Sequence, residues 1–195
     1  MNRGEVRARM VAGAVRLLAT RGLEGTSFAE VLTLTDAPRG SVYHHFPGGK
    51  SELVHAGLDL AASRAVDAMA ASRGEPAVAV TERFLGLWRA LLDSSGLAAG
   101  CAVAAVTVGA DSPDLLEHAG AIFRTWIDQL SDLYAAAGWT PDDARVFATL
   151  VISATEGAVL VSRAQHDRTP FDDVAGALLE HARAAQSSRG RPQAR

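Results

Sequence analysis

The sequence predicts an all-α protein of about nine helices, three short ones forming an N-terminal head and longer ones forming a larger bundle. Three observations lead there. Ala, Leu and Arg, all good helix formers, outnumber Val and Ile. Apolar residues recur every three or four positions through most of the chain. Clusters of Gly and Pro, such as Pro47-Gly48-Gly49 and Gly138 to Pro141, separate these periodic stretches. With 48% hydrophobic and 21% charged residues, the 195-residue chain can build a core and is too apolar for disorder.

The first helix is expected over Glu5 to Arg21, with Val6, Met10, Val11, Ala14, Val15, Leu17 and Leu18 on one face and Arg7, Arg9 and Arg16 on the other. Gly22 then suits the position just past its end. Thr26 or Ser27 caps a short second helix, Glu30 completes a capping box with Ser27, and Phe28, Val31 and Leu32 face inward. Thr35-Asp36-Ala37 makes a tight turn, and Pro38 suits the first turn of a third helix ending near His45. Two short helices joined by three residues form a helix-turn-helix. A fourth helix, capped by Ser51, runs to Arg73, and a fifth spans Pro76 to Asp93. Gly96 to Gly109 is expected as a short buried helix, and Pro113 opens a longer one to Ala137. Thr140, followed by Asp142 and Asp143, starts a helix to Arg163; the last runs from Phe171 to Ala185. The expected domains are a head over 1–50, a ligand-binding and dimerisation domain over 51–187, and a flexible tail over 188–195.

The net charge of −3 is uneven: the first 55 residues carry +2 and the remainder −5. A basic head on an acidic body suits a head that meets phosphate, although +2 is small for a nucleic-acid binder. Cys101 is the only cysteine, which excludes a disulfide framework or a cysteine zinc site and suits a reducing compartment. The N-terminus mixes charged and apolar residues rather than forming a signal-peptide core, and no run of about 18 apolar residues lacks a charge. The expectation is a soluble cytoplasmic protein without a membrane partner.

Thr26-Ser27-Phe28-Ala29-Glu30-Val31, Arg39-Gly40-Ser41-Val42-Tyr43-His44-His45-Phe46 and Lys50-Ser51-Glu52-Leu53 together resemble the head of the TetR family of transcriptional regulators. Order and spacing both match, over about 55 residues. The body resembles the family's regulatory domain in helix number and length, and Gly100-Cys101 before an Ala/Val run is similar to one branch often found beside efflux or detoxification genes. The resemblance implies a double-stranded DNA partner contacted through Thr26, Ser27, Arg39, Gly40, Ser41, Tyr43, His44 and Lys50. Physical chemistry supports these roles. The forked donors of Arg39 suit guanine O6 and N7, or else phosphate, and the small Gly40 and Ser41 let the backbone approach the groove. The Tyr43 hydroxyl, His44, Lys50 at a helix N-terminus, and the hydroxyls of Thr26 and Ser27 suit phosphate, His44 alternatively a base. One residue departs from the pattern: Asp36 stands where the family commonly has Gly in the turn, and Asp tolerates the left-handed conformation better than most residues.

Other constellations are weaker. Glu52-x-x-His55 has the spacing of half a di-iron motif but no second copy, and Asp114 and His118 lie one helical turn apart as a lone pair, so no metal or other cofactor is expected. No phosphate loop or nucleophile elbow is present, and no enzyme is expected. Phe84, Trp88, Cys101, Phe123, Trp126 and Phe147 are spread over four helices and would line a cavity for a flat apolar effector, or simply fill the core. Val151, Ala154, Gly157, Ala158 and Val161, with Leu178, Leu179 and Ala182, form small-residue stripes suited to a homodimer interface or to intramolecular packing. The combined expectation is a dimeric repressor released from a palindromic operator by a small apolar ligand. The alternatives are a helical interaction protein with a vestigial head and a helical-bundle metalloprotein.

Overall fold

A computed structural model of the chain describes residues 3–189. Among them are nine α-helices, one 3-10 turn and no strand. The helices are α1 (Arg3–Arg21), α2 (Phe28–Thr35), α3 (Val42–His45), α4 (Gly49–Ala70), α5 (Ala77–Ser95), α6 (Ala102–Gly109), α7 (Pro113–Ala136), α8 (Pro141–Gln165) and α9 (Thr169–Arg189), with the 3-10 turn Arg39–Ser41 leading into α3. The chain forms two units: one built from the chain up to Arg64 with Ala99–Phe123, the other from Ala65–Ala98 and the chain from Arg124 onward.

In the first unit, α1, α2, α3 and the start of α4 enclose Met10, Ala14, Leu17, Val31, Val42, Phe46 and Leu53. These are the apolar positions that the helical periodicity places on inward faces. α1 and α2 approach closely at Gly13, where a β-carbon would stand 2.5 Å from Thr35 Cγ2. α6 is tied to α1 by the Gly100 N–H, which donates to the Ala19 carbonyl at 2.8 Å. Cys101 caps α6, its Sγ accepting the Ala104 N–H at 3.4 Å.

Three of the boundaries that differ from expectation do so for evident local reasons. α6 starts at Ala102 rather than near Gly96, because Gly96 (φ 58°) and Leu97 (φ 64°) are both left-handed and break the chain. α4 starts at Gly49, ahead of Ser51; the Gly48 N–H donates to Glu52 Oε2 at 2.9 Å, so Glu52 serves this helix end. α9 continues through Arg189, so Ser188 and Arg189 are helical and the rest of the expected tail lies outside the described residues.

In the second unit, α5, α8 and α9 pack against one another. Thr140 caps α8 by accepting the Asp143 N–H at 3.2 Å. The corner to α9 is made by His166 at φ 52° and by Asp167, whose carboxylate accepts the Thr169 N–H and hydroxyl, both at 2.9 Å. The Thr169 backbone hydrogen bond, with that from its hydroxyl, holds the Asp167 carboxyl below its usual range. Tyr134, Trp139 and Phe147 form a core of rings with centroids 5.0–5.6 Å apart. Tyr134 is fully buried, and its hydroxyl lies 2.9 Å from that of Thr81. Thr81 donates its own proton to the Ala77 carbonyl, so Tyr134 is the donor of the pair.

Burial pushes the Tyr134 phenol well above its ordinary value of 10.0. The folded chain therefore holds this proton more tightly than the unfolded chain. Stability is full below the ordinary value and falls above it by up to about 1.4 kcal/mol per pH unit. Denaturant titrations between neutral and strongly alkaline pH are expected to show this slope, and Tyr134→Phe to flatten it.

Candidate nucleic-acid interface

The second helix of the head is anchored by Ser27, whose Oγ accepts the Glu30 N–H at 3.2 Å. The expected capping box is only half used, because the Glu30 carboxylate pairs with Arg21. Asp36 ends α2 in the left-handed conformation, φ 50° and ψ 38°, as expected for the residue that replaces Gly in this turn. Pro38 precedes the 3-10 turn with an extended ψ of 130°, so the recognition segment opens as a 3-10 turn and tightens into α3 at Val42. Val42 and Phe46 are buried on its inner side.

The outer side carries the candidate contacts. Arg39, Gly40 and His44 are exposed, and Tyr43 is 76% exposed. A Tyr this open is oriented by its neighbour: the Phe28 ring meets it edge to face, with centroids 6.1 Å apart. Phe28 is thus a positioning residue that motif reasoning had placed only in the core. Arg39 and Tyr43 share a surface groove of about 560 Å³ with Ala29, Leu32, Thr33 and Asp36. Nothing stands within 4 Å of a β-carbon added at Gly40, so the surface there is open to a close partner.

Two expected contacts are placed differently. Thr26 is fully buried and its hydroxyl donates to the Gly22 carbonyl at 2.9 Å, which removes it from any phosphate. Lys50 is half-buried, and its Nζ donates to the Leu23 carbonyl at 2.8 Å, tying α4 to the end of α1. Two of its three N–H donors remain for a phosphate. Ser27 is half-buried with its oxygen used as a cap, and the Ser41 side chain lies outside the described part of the structure.

The expected pocket and interface residues scatter. Phe84, Trp126 and Phe147 are buried in the second unit, where Trp88 is half-buried; Cys101 and Phe123 are half-buried in the first. A surface groove of about 670 Å³ in the second unit is lined by Pro76, Val78, Ala79, Glu82, Arg183 and Gln186, and includes none of these six. Val151, Ala158, Leu178 and Ala182 are buried inside the chain, where they serve intramolecular packing, and Ala154 and Leu179 are half-buried. Gly157 and Val161 are exposed; with Val146, Leu150 and Leu160, and with the exposed Ser153 between Leu150 and Gly157, they form a row stepping three or four residues at a time along α8. This helix is long and apolar enough to cross a membrane, with mean hydropathy 1.6 over an 18-residue window. Its apolarity is divided between one buried stripe and one exposed stripe.

A capped α2, a left-handed turn and a recognition helix with an exposed polar face define a helix-turn-helix DNA-binding transcriptional regulator. The chain belongs to the TetR family: residues 10–56 match the profile of bacterial regulatory proteins of the tetR family, and residues 76–177 match that of the LmrA/YxaF-like transcriptional regulator C-terminal domain. It is 37% identical over 173 residues to an HTH-type transcriptional regulator of Mycobacterium tuberculosis, covering 85% of this chain and 88% of that one. It is 26% identical over 178 residues to the HTH-type transcriptional regulator LmrA of Bacillus subtilis, covering 88% and 93%. Among solved structures, a TetR transcriptional regulator from Chloroflexus aurantiacus superposes with TM-score 0.75 at 27% identity, covering 92% and 94%. The fold is also that of CifR, solved with 26 bp double-strand operator DNA, at TM-score 0.69 and 19% identity over 92% and 96%. These relatives are regulators, not enzymes.

Proposed function

We propose that this regulator is a cytoplasmic repressor that binds a palindromic operator as a homodimer and leaves it when a small apolar or aromatic effector binds. The observation that carries the DNA-reading part is the exposed Arg39–Tyr43 face standing on the buried Val42 and Phe46. A base-reading helix needs such a rigid inner side, because a contact displaced by an ångström loses its hydrogen bond. Phosphate contacts come from Tyr43, His44 and Lys50, and base contact from Arg39.

Dimerisation is assigned to the exposed α8 row of Val146, Leu150, Gly157, Leu160 and Val161. Contiguous exposed apolar surface marks an interaction site, and Gly157, with open space where a side chain would stand, lets a second helix approach closely. A two-fold pair of heads then matches a palindrome. Support for an effector is chemical. The second unit holds an aromatic core, and the hydroxyl of the fully buried Thr155 has no hydrogen-bond partner among the described residues. An effector that enters this unit and supplies a polar group to Thr155 would favour a second conformation, which releases DNA if that conformation misplaces the two recognition helices. The test is titration of the protein's own upstream DNA with wild type, Arg39→Ala and Tyr43→Phe across a range of salt. Steep salt dependence is expected.

A further inference from the structure

Four ionisable side chains in the first unit form a linear chain of three contacts that DNA reading does not use. His55 and Asp59 are one turn apart on α4, and Asp114 and His118 are one turn apart on α7. The pairs cross between helices: His55 Nε2 lies 2.8 Å from Asp114 Oδ2, and His118 Nε2 lies 2.8 Å from Asp59 Oδ1. The two Nδ1 atoms face each other at 2.6 Å. The rings are within 16° of parallel, with centroids 4.8 Å apart. That separation is nearly the Nδ1–Nδ1 distance plus two ring radii, so the rings lie edge to edge in almost one plane, each Nδ1 aimed at the other. With both Nε2 atoms set against carboxylates, the two Nδ1 atoms are left facing each other across the gap between the helices.

We propose that His55 and His118 bind a divalent transition-metal ion of the zinc class through their facing Nδ1 atoms. Imidazole nitrogen is a preferred ligand for such ions. A carboxylate accepting the far N–H is the arrangement that orients metal-bound histidines and raises their basicity, and here Asp114 and Asp59 already supply it to both rings. Two zinc–nitrogen bonds of about 2.0–2.1 Å at a tetrahedral angle require the Nδ1 atoms to part by somewhat under about 1 Å and both rings to turn, so that their lone pairs converge on the ion. The histidine side chains are 26% and 23% exposed, which leaves room for that movement and for water on the open positions. Among the described residues no three His, Cys, Asp or Glu side chains already surround a common cation position. The site is accordingly a two-histidine, water-completed one, weaker and more exchangeable than a four-ligand structural site. The bound ion fastens α4, the helix that follows the recognition segment, to α7.

The experiment uses the full chain without a histidine tag, titrated with Zn²⁺ by calorimetry and with Co²⁺ by visible absorption. One ion per chain is expected, with loss of binding in His55→Ala and in His118→Ala. Asp59→Asn and Asp114→Asn should each weaken binding by about 10–100-fold. Circular dichroism confirms that each variant is folded. No binding at millimolar Zn²⁺ by folded wild type, or unchanged binding by a folded double-alanine variant, overturns the proposal. Unchanged affinity in both Asp→Asn variants overturns the assignment of the carboxylates.

Discussion

Replacing Leu150 and Leu160 by Asp is expected to abolish high-affinity operator binding while leaving the chain folded. Both side chains are exposed, at 46% and 66%, and lie on the α8 row assigned to the dimer. Surface substitutions away from special features change stability by about 0.5 kcal/mol or less, so the fold survives. A charge carried into an apolar interface without a partner is costly, and two such charges meet their symmetry mates across a two-fold axis. The monomer then contacts one half-site, and the avidity of the linked pair, about 10²–10⁴-fold, is lost. Light scattering should show a monomer, and fluorescence anisotropy with operator DNA should show the drop. Val151, one residue along but fully buried, offers the contrast: Val151→Asp is expected to unfold the second unit instead.

Phe46→Ala should cost about 3–5 kcal/mol, a large share of the roughly 5–15 kcal/mol that holds a domain together. Phe46 is fully buried within the set formed by Met10, Val42 and Leu53, at the point where α3 ends and the chain turns toward α4. Its ring also lies under the Arg7 guanidinium, 5.1 Å from the centroid, a contact that truncation removes. At about 2–4 °C per kcal/mol, the melting temperature falls by about 6–20 °C. Operator affinity falls with it, because Phe46 and Val42 are what fix Arg39 and Tyr43 in place. Leu34→Ala, at a position 40% exposed on α2, provides the control and should shift melting little.

The head was legible in the sequence because its signals are local. Ser27 three residues before Glu30, Asp36 in a three-residue turn, and Val42 with Phe46 four apart each state a helix end or an inner face. The long helices were legible for the same reason, since their apolar period is local too. What could not be read depends on which elements meet. Thr26 and Ser27 look equally able to cap, and only the fold shows Thr26 turned onto Gly22. Lys50 finds its acceptor 27 residues away at Leu23, and His55 finds His118 63 residues away. On α8 the sequence holds two apolar stripes about one residue apart. Burial of Val151 and Ala158, against exposure of Leu150 and Gly157, decides which faces inward. Gly96 and Leu97 share left-handed backbone, and a Leu in that conformation has no signature that composition reveals.

Base reading by the recognition segment is tested most directly by anisotropy titration of wild type and Arg39→Ala on the matched operator and on a scrambled duplex of the same length and salt. Wild type should prefer the matched site. Arg39→Ala should lose about 1–3 kcal/mol of that discrimination while its weak binding to the scrambled duplex changes far less. Equal affinity of wild type for both duplexes, or full retention of the preference by Arg39→Ala, would contradict sequence reading through this helix.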